Sequence, residues 1–406
     1  MSAELTQTAD AEAPAALRRR AGVVGASGIL GGELLRILVN HPGIELEYVS
    51  AQSRAGRSAT ELNPHLKDAG IGEFEAFDAR VAAKRCDVVF LATPPETAGR
   101  AVPELLDAGA ELVVDLSPAY RVRDPELHRQ WYPDVERDQQ IAEVAAYALP
   151  ELSRAAAAED GDASGGAAAA GGDSGGNGTA SSAGGLAPIG REAIRAARVL
   201  AVPGCFATAI LLAALPLREL EGVTFDSVAI DGKSGSTGSG ARLRESGAHT
   251  WRSNVVAPYA PRGHRHVAEV GEAFADVGVS VSRLGMSTYG VDLVRGLSVG
   301  LYSFFEGELD ERALRRAYHR TYRDERFVRV QAGRGSALPL PDPKAVIGSN
   351  FCDVAGFVDE AASRFVLIGA IDNMVKGGAG QAVQACNLRL GLPEDAGLEA
   401  IPVFPV

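Results

Sequence analysis

The sequence predicts an α/β protein in two parts, a parallel-sheet domain followed by an α+β domain. Three observations carry that prediction. Near the N-terminus an apolar strand, a glycine turn and a helix follow one another directly over residues 21–38. Further apolar strands then alternate with helical stretches. Beyond about residue 220 the alternation stops, and longer strands follow one another with a helix between them. A chain of 406 residues, 46% of them hydrophobic, is long enough for two real cores.

The elements follow in chain order. Residues 1–18 are polar and acidic, with no apolar leader, and read as a disordered tail of a cytoplasmic protein. Residues 19–205 form the first domain. Its glycines at 22, 25 and 28 let the backbone approach a pyrophosphate, and a helix N-terminus favours the charge. Gly25, Ala26, Ser27, Gly28, Ile29 and Leu30 are therefore the candidate cradle of a dinucleotide. The second strand, 44–50, ends without the Asp or Glu that would bind the 2′-hydroxyl of NAD. Ser53 and Arg54 suit the 2′-phosphate of NADP instead. Strands at 87–92 and 111–116 flank a helix at 96–108, and their carboxyl ends place Thr93, Ser117 and Arg121 at a binding edge. Arg121 is a candidate clamp for a substrate phosphate. Residues 153–187 are Ala, Gly, Ser and Asp and read as a disordered insertion. A last strand, 198–202, leads to Pro203-Gly204-Cys205 and a helix over 208–220. Cys205 thus sits at a helix start, where unpaired amides and the macrodipole lower a thiol pKa.

Residues 206–370 form the second domain, with strands at 223–231, 298–305, 346–358 and 364–370 and a helix at 309–322. The loop 233–242 is rich in glycine and hydroxyls, and Ser234 and Gly235 are candidate cofactor contacts. His264 and His266 are candidate acid/base partners for Cys205, because imidazole titrates near neutrality. A metal pair is the other reading, but no acidic or Cys cluster accompanies them. Arginines at 242, 244, 252, 262 and 265 gather around them in an otherwise acidic protein. This points to an anionic ligand, with Arg242 and Arg265 as substrate contacts. Residues 371–406 open on a second glycine-rich loop, an anion or nicotinamide cradle with Asn373 as a candidate cofactor contact, and close on a helix that returns to the first domain. A net charge of −12 disfavours nucleic acid, and no run of about 18 apolar residues reads as a membrane span. Four scattered cysteines form neither a disulfide framework nor a zinc pattern, so Cys86, Cys352 and Cys386 read as core.

Together these strings resemble the N-acetyl-gamma-glutamyl-phosphate reductase family over residues 20–152 and 190–406. The resemblance rests on Gly22–Gly32, His41-Pro42, Asp115-Leu116-Ser117, Leu149-Pro150-Glu151-Leu152, Pro203-Gly204-Cys205, His264-Arg265-His266 and 371–384. It implies a Rossmann NADP-binding domain, a glyceraldehyde-phosphate-dehydrogenase-like second domain and a homodimer or homotetramer. It also implies NADPH-dependent reduction of an acyl phosphate through a Cys205 thioester, with His264 or His266 as acid/base. Val202, Phe206-Ala207 and 291–296 depart from the bacterial pattern. They are more similar to the archaeal and Thermus-type subgroup, whose glutamyl or 2-aminoadipyl phosphate is borne on the small acidic carrier LysW. An N-acetylated substrate is the alternative with the same chemistry. A non-catalytic NADP-binding regulator is the alternative of another class.

Overall fold

Strand β1 (Arg19–Val24) forms because Ala21, Val23 and Val24 are apolar on both faces, as the centre of a covered parallel sheet requires. Around it lie β2 (Ile44–Ser50), β3 (Val88–Leu91), β4 (Leu112–Asp115), β5 (Ala146–Tyr147) and β6 (Val199–Ala201), all parallel, in the order β2-β1-β3-β4-β6-β5. The computed structural model describes residues 18–152, 188–240, 248–331 and 338–406. Residues 1–17 of the tail, the 153–187 insertion, Arg242 and Arg244 lie outside the described residues.

The second sheet contains β7 (Ser227–Ser234), β8 (Val256–Ala260), β9 (Arg283–Val291), β10 (Leu297–Phe304), β11 (Val328–Val330), β12 (Cys352–Asp359) and β13 (Arg364–Ile371). Its order is β11-β12-β13-β10-β7-β9-β8, with parallel pairs at β11/β12 and β7/β9 and antiparallel pairs elsewhere. β10 shows the strand period of two. Leu297, Val299 and Leu301 face the core, whereas Tyr302 and Phe304 stand exposed on the opposite face.

The helix Cys205–Ala214 runs through that core and is buried all round, from Phe206 to Ala214. It is shorter at its C-terminal end than the sequence pattern, which reached residue 220. Pro216 cannot donate the next helical hydrogen bond, and the chain tightens into a 3₁₀ turn over Leu215–Glu219. The chain's last helix, Gly380–Leu390, packs Ala382, Val383 and Cys386 against Leu34, Leu35 and Leu200 of the first domain.

A buried ionic cluster ties this helix down. The Lys376 ammonium donates to Glu151 and to Gln384 Oε1, each at 2.6 Å, with Lys376 fully buried. Arg191 beside it pairs with Glu325 at 2.7 Å and with Glu394 at 3.1 Å. Among the described residues, no helix is long and apolar enough to cross a membrane.

Candidate active site

Cys205 opens its helix directly after β6 and the Pro203-Gly204 turn, and is half-buried. Two glycines allow the close approach around it. A Cβ on Gly204 would lie 2.3 Å from His266 Nε2, and one on Gly377 would lie 2.7 Å from the Cys205 Cβ. The electrostatic outcome reverses the sequence expectation of a lowered thiol pKa. Burial pushes the Cys205 thiol up to about 11, although Arg121, the Phe206 amide and Arg265 all pull it down. The helix start lowers the cost of a thiolate here but does not outweigh desolvation.

The imidazoles complement this protonated thiol. His266 begins the helix His266–Val277, and His264 sits in the turn before it, their ring centroids 4.5 Å apart. The His266 amide donates to His264 Nδ1 at 3.3 Å, which assigns the His264 ring proton to Nε2. Burial and then Arg265 bring His264 down to about 4. Burial, His264 and the two arginines hold His266 well below its ordinary value. Both rings are therefore neutral at pH 7 and able to accept a proton.

His266 alone has a carboxylate behind it. Its Nε2 lies 3.6 Å from Glu269 Oε1. The other oxygen, Oε2, accepts the Tyr147 hydroxyl at 3.1 Å and the Gly204 amide at 3.2 Å. Glu269 thus connects the cysteine turn to the histidine helix. Its own carboxyl is raised by burial, against the pull of Arg121 and the two hydrogen bonds. His264 is half-buried between Phe206, at 5.5 Å, and Tyr259, at 6.1 Å.

Two residues expected to touch substrate are turned inward. Arg121 is buried; its Nε donates to the Val202 carbonyl at 2.6 Å and its Nη2 to the Leu116 carbonyl at 2.7 Å. Its remaining nitrogen approaches Glu269 Oε1 at 3.7 Å. It braces the cysteine turn and tunes the thiol, and it is not a free phosphate clamp. Ser117 is buried and spends its amide and hydroxyl on Asp115, at 2.8 and 2.9 Å. It closes the turn after β4. Arg265 is exposed beside the histidines, its guanidinium over the Tyr132 ring at 6.0 Å. Arg262 is also exposed, while Arg252 lies against Gly290 of β9.

The glycine turn fits a dinucleotide, with a division of labour inside it. Gly25 has φ +83°, and a Cβ there would lie 2.4 Å from the Ala92 carbonyl. The amides of Gly25 and Ala26 donate to the Ser50 carbonyl at 2.9 and 3.0 Å, and that of Gly28 to the Gly25 carbonyl. These three shape the loop. Among the described residues the amides of Ser27, Ile29, Leu30 and Gly31 find no backbone acceptor, and these are left to hold a pyrophosphate. Thr93 adjoins the turn and has a buried hydroxyl without a partner among the described residues. Ser53 and Arg54 are exposed just past β2.

Ser234, Gly235 and Asn373 come together at the far end. The Gly235 amide donates to the Gly296 carbonyl, and Asn373 accepts from the Gly296 amide at 2.7 Å and donates to Thr237 at 3.0 Å. Beside them Arg295 pairs with Glu33, at 2.7 Å, and with Asp372, at 3.2 Å. Glu33 belongs to the helix Ile29–Leu38 that follows the glycine turn. Arg295 therefore ties the helix that follows the glycine turn to the start of the second glycine-rich loop, a link sequence reading missed. It also missed Glu269, for which the i,i+3 spacing from His266 was the available signal.

Two family models match the chain. The semialdehyde dehydrogenase NAD binding domain covers residues 20–160, and the semialdehyde dehydrogenase dimerisation domain covers residues 205–373. The protein named LysW-L-2-aminoadipate/LysW-L-glutamate phosphate reductase in Saccharolobus solfataricus is 34% identical over 386 residues, covering 95% of this chain and 98% of the relative. Its namesake in Sulfurisphaera tokodaii is 32% identical, covering 95% and 99%. Among solved structures, aspartate semialdehyde dehydrogenase II of Vibrio cholerae shares the fold with a TM-score of 0.62 at 14% identity, covering 91% of this chain and 98% of that one. The NADP complex of aspartate semialdehyde dehydrogenase from Candida albicans gives 0.58 at 14% identity, covering 91% and 98%.

Proposed function

We propose that this chain, which belongs to the semialdehyde dehydrogenase family and to its LysW-linked phosphate reductase branch, reduces a carrier-borne acyl phosphate to the semialdehyde. The observation that carries the reading is Cys205 set against two neutral imidazoles, one backed by Glu269. In the first half, the Cys205 sulfur attacks the acyl carbon. Its proton passes to His266, whose new charge faces Glu269, and from His266 to the departing phosphate. One S–C bond forms, one C–O bond breaks, and a thioester on Cys205 remains. The nicotinamide cofactor, when bound, supplies a hydride to the thioester carbonyl. In the second half, the carbonyl re-forms as the aldehyde and expels the Cys205 thiolate, which is reprotonated through His266 by a proton taken from solvent, the first having left with phosphate.

The cofactor is NADPH: Arg54 and Ser53 follow β2 where an acidic residue would select NADH. The substrate is glutamyl or 2-aminoadipyl phosphate on LysW, supported by the relatives' names and by exposed Arg262 and Arg265 near the histidines. Two copies pair through the open face of the second sheet, supported by exposed Tyr302 and Phe304 there. Parallel assays of LysW-borne and N-acetylated acyl phosphate with NADPH test the substrate assignment. Turnover on the carrier-borne form alone supports it, and faster turnover of the N-acetylated form refutes it.

A further inference from the structure

The proton balance of that reaction leaves one proton to be found. The thiol's own proton departs with phosphate in the first half. Expelling the aldehyde in the second half then leaves a thiolate that needs a proton from outside. Behind the site lies a small cavity between the two domains, with a volume of about 10 Å³ for the centre of a water-sized sphere. That is room for one water. Its inner wall carries Glu269, Tyr147 and Arg121, and its outer rim carries Glu272, Asp276 and Arg123.

Glu269, Glu272 and Asp276 follow one another along one side of the helix His266–Val277. The outer carboxylates are held in place: Glu272 accepts the Arg123 and Asp124 amides at 2.9 and 2.8 Å, and Asp276 accepts Arg123 at 2.7 Å. The inner groups still want partners. Glu269 Oε1 and His266 Nδ1 are buried with no hydrogen-bond partner among the described residues. Arg121 Nη1 and His266 Nε2 stand 3.7 and 3.6 Å from Oε1, too far for direct bonds. A native interior rarely leaves such groups unsatisfied.

We propose that this cavity holds a water that links Glu272 to Glu269 and carries solvent protons through Glu269 to His266 for the second half of each turnover. Glu269 Oε1 and His266 Nε2, 3.6 Å apart in the free protein, close to bonding distance when the site is loaded, as catalytic hydrogen bonds commonly do; Glu269 then hands one proton to His266 and takes the next from the water. The water is refilled past Glu272 and Asp276, so no group is consumed. The inference rests on the thioester reading above. Glu272 touches neither substrate nor cofactor and acts as a positioning residue for the water.

Three variants test it: Glu272→Gln, Glu272→Asp, and Ala145→Val, which puts two methyl groups into the cavity wall. Phosphate release reports the first half, and NADPH oxidation in H₂O and D₂O reports the second. We expect an unchanged first burst of phosphate in all three. Turnover should fall about 10- to 100-fold in Glu272→Gln and Ala145→Val, within what proton transfer contributes to enzymes, with a larger solvent isotope effect. Glu272→Asp should recover most of the rate. If Ala145→Val does not fold, Glu272→Gln carries the test. Wild-type turnover and isotope effect in a folded Glu272→Gln protein would overturn the relay while leaving the thioester chemistry standing. Absence of a phosphate burst from the unaltered enzyme, on carrier-borne and N-acetylated substrate alike, would overturn the reaction reading itself.

Discussion

Cys205 in the free enzyme should alkylate slowly at neutral pH and accelerate steadily with alkali. Only the thiolate reacts with iodoacetamide, so the rate follows its fraction. Burial sets the Cys205 thiol at about 11 against an ordinary value of 9.0. At pH 8 the thiolate fraction is then about 10⁻³, against about 10⁻¹ for an unperturbed thiol at 9.0, so modification should be about 100-fold slower than that of a free cysteine. The other thiols do not confuse the assay, since Cys86, Cys352 and Cys386 are buried. Peptide mass spectrometry after timed exposure, from pH 6 to pH 10, follows Cys205 alone. The rate should rise about tenfold per pH unit across that range. A plateau beginning near pH 7 would mean a thiolate already formed at rest, and would refute the argument that burial outweighs the helix start.

Other outcomes follow from the same geometry. His266→Asn should lower kcat by about 10²–10⁴, and His264→Asn should cost clearly less, because only His266 faces Glu269; equal losses would contradict the assignment. Arg295→Met should raise KM for the nicotinamide cofactor about tenfold, equivalent to about 1.4 kcal/mol, because it unties the helix after the glycine turn from Asp372, with Arg295→Lys intermediate; an unchanged KM would mean this link does not shape cofactor binding. Lys376→Met should destabilise the fold by about 3–5 kcal/mol in urea at pH 7, because it strands a buried Glu151 carboxylate. Burial raises Glu151, but Lys376 and Gln384 hold it below its ordinary 4.5. The pair's contribution is therefore full above pH 4.5 and fades as pH falls through the depressed value, a loss the Lys376→Met protein should not show.

What the sequence revealed is divided by how local each feature is. The glycine turn, the strands at 44–50 and 364–370 and the cysteine at a helix start are written in neighbouring residues, and the structure has them at those places. Helix ends shifted where one residue decided them, as Pro216 did. Arg121 was read as a ligand because it follows a strand end. Its real partner, the Val202 carbonyl, is 81 residues away, and no local pattern records it. The thiol was expected to be acidic for the same reason. The helix start is local, whereas the burial by Gly377 and the histidine helix is tertiary. Arg295 bridges Glu33 and Asp372 across both domains and was equally invisible.

The proposed reaction turns on a covalent acyl group on Cys205. Mixing the enzyme with LysW-borne glutamyl or 2-aminoadipyl phosphate, without NADPH, and measuring phosphate release and the mass of the Cys205 peptide tests it directly. One phosphate per site is expected, with a thioester adduct on Cys205 that hydroxylamine removes and NADPH discharges as the aldehyde. Phosphate release with Cys205 unmodified, or NADPH oxidation by a Cys205→Ala protein at the normal rate, would contradict it.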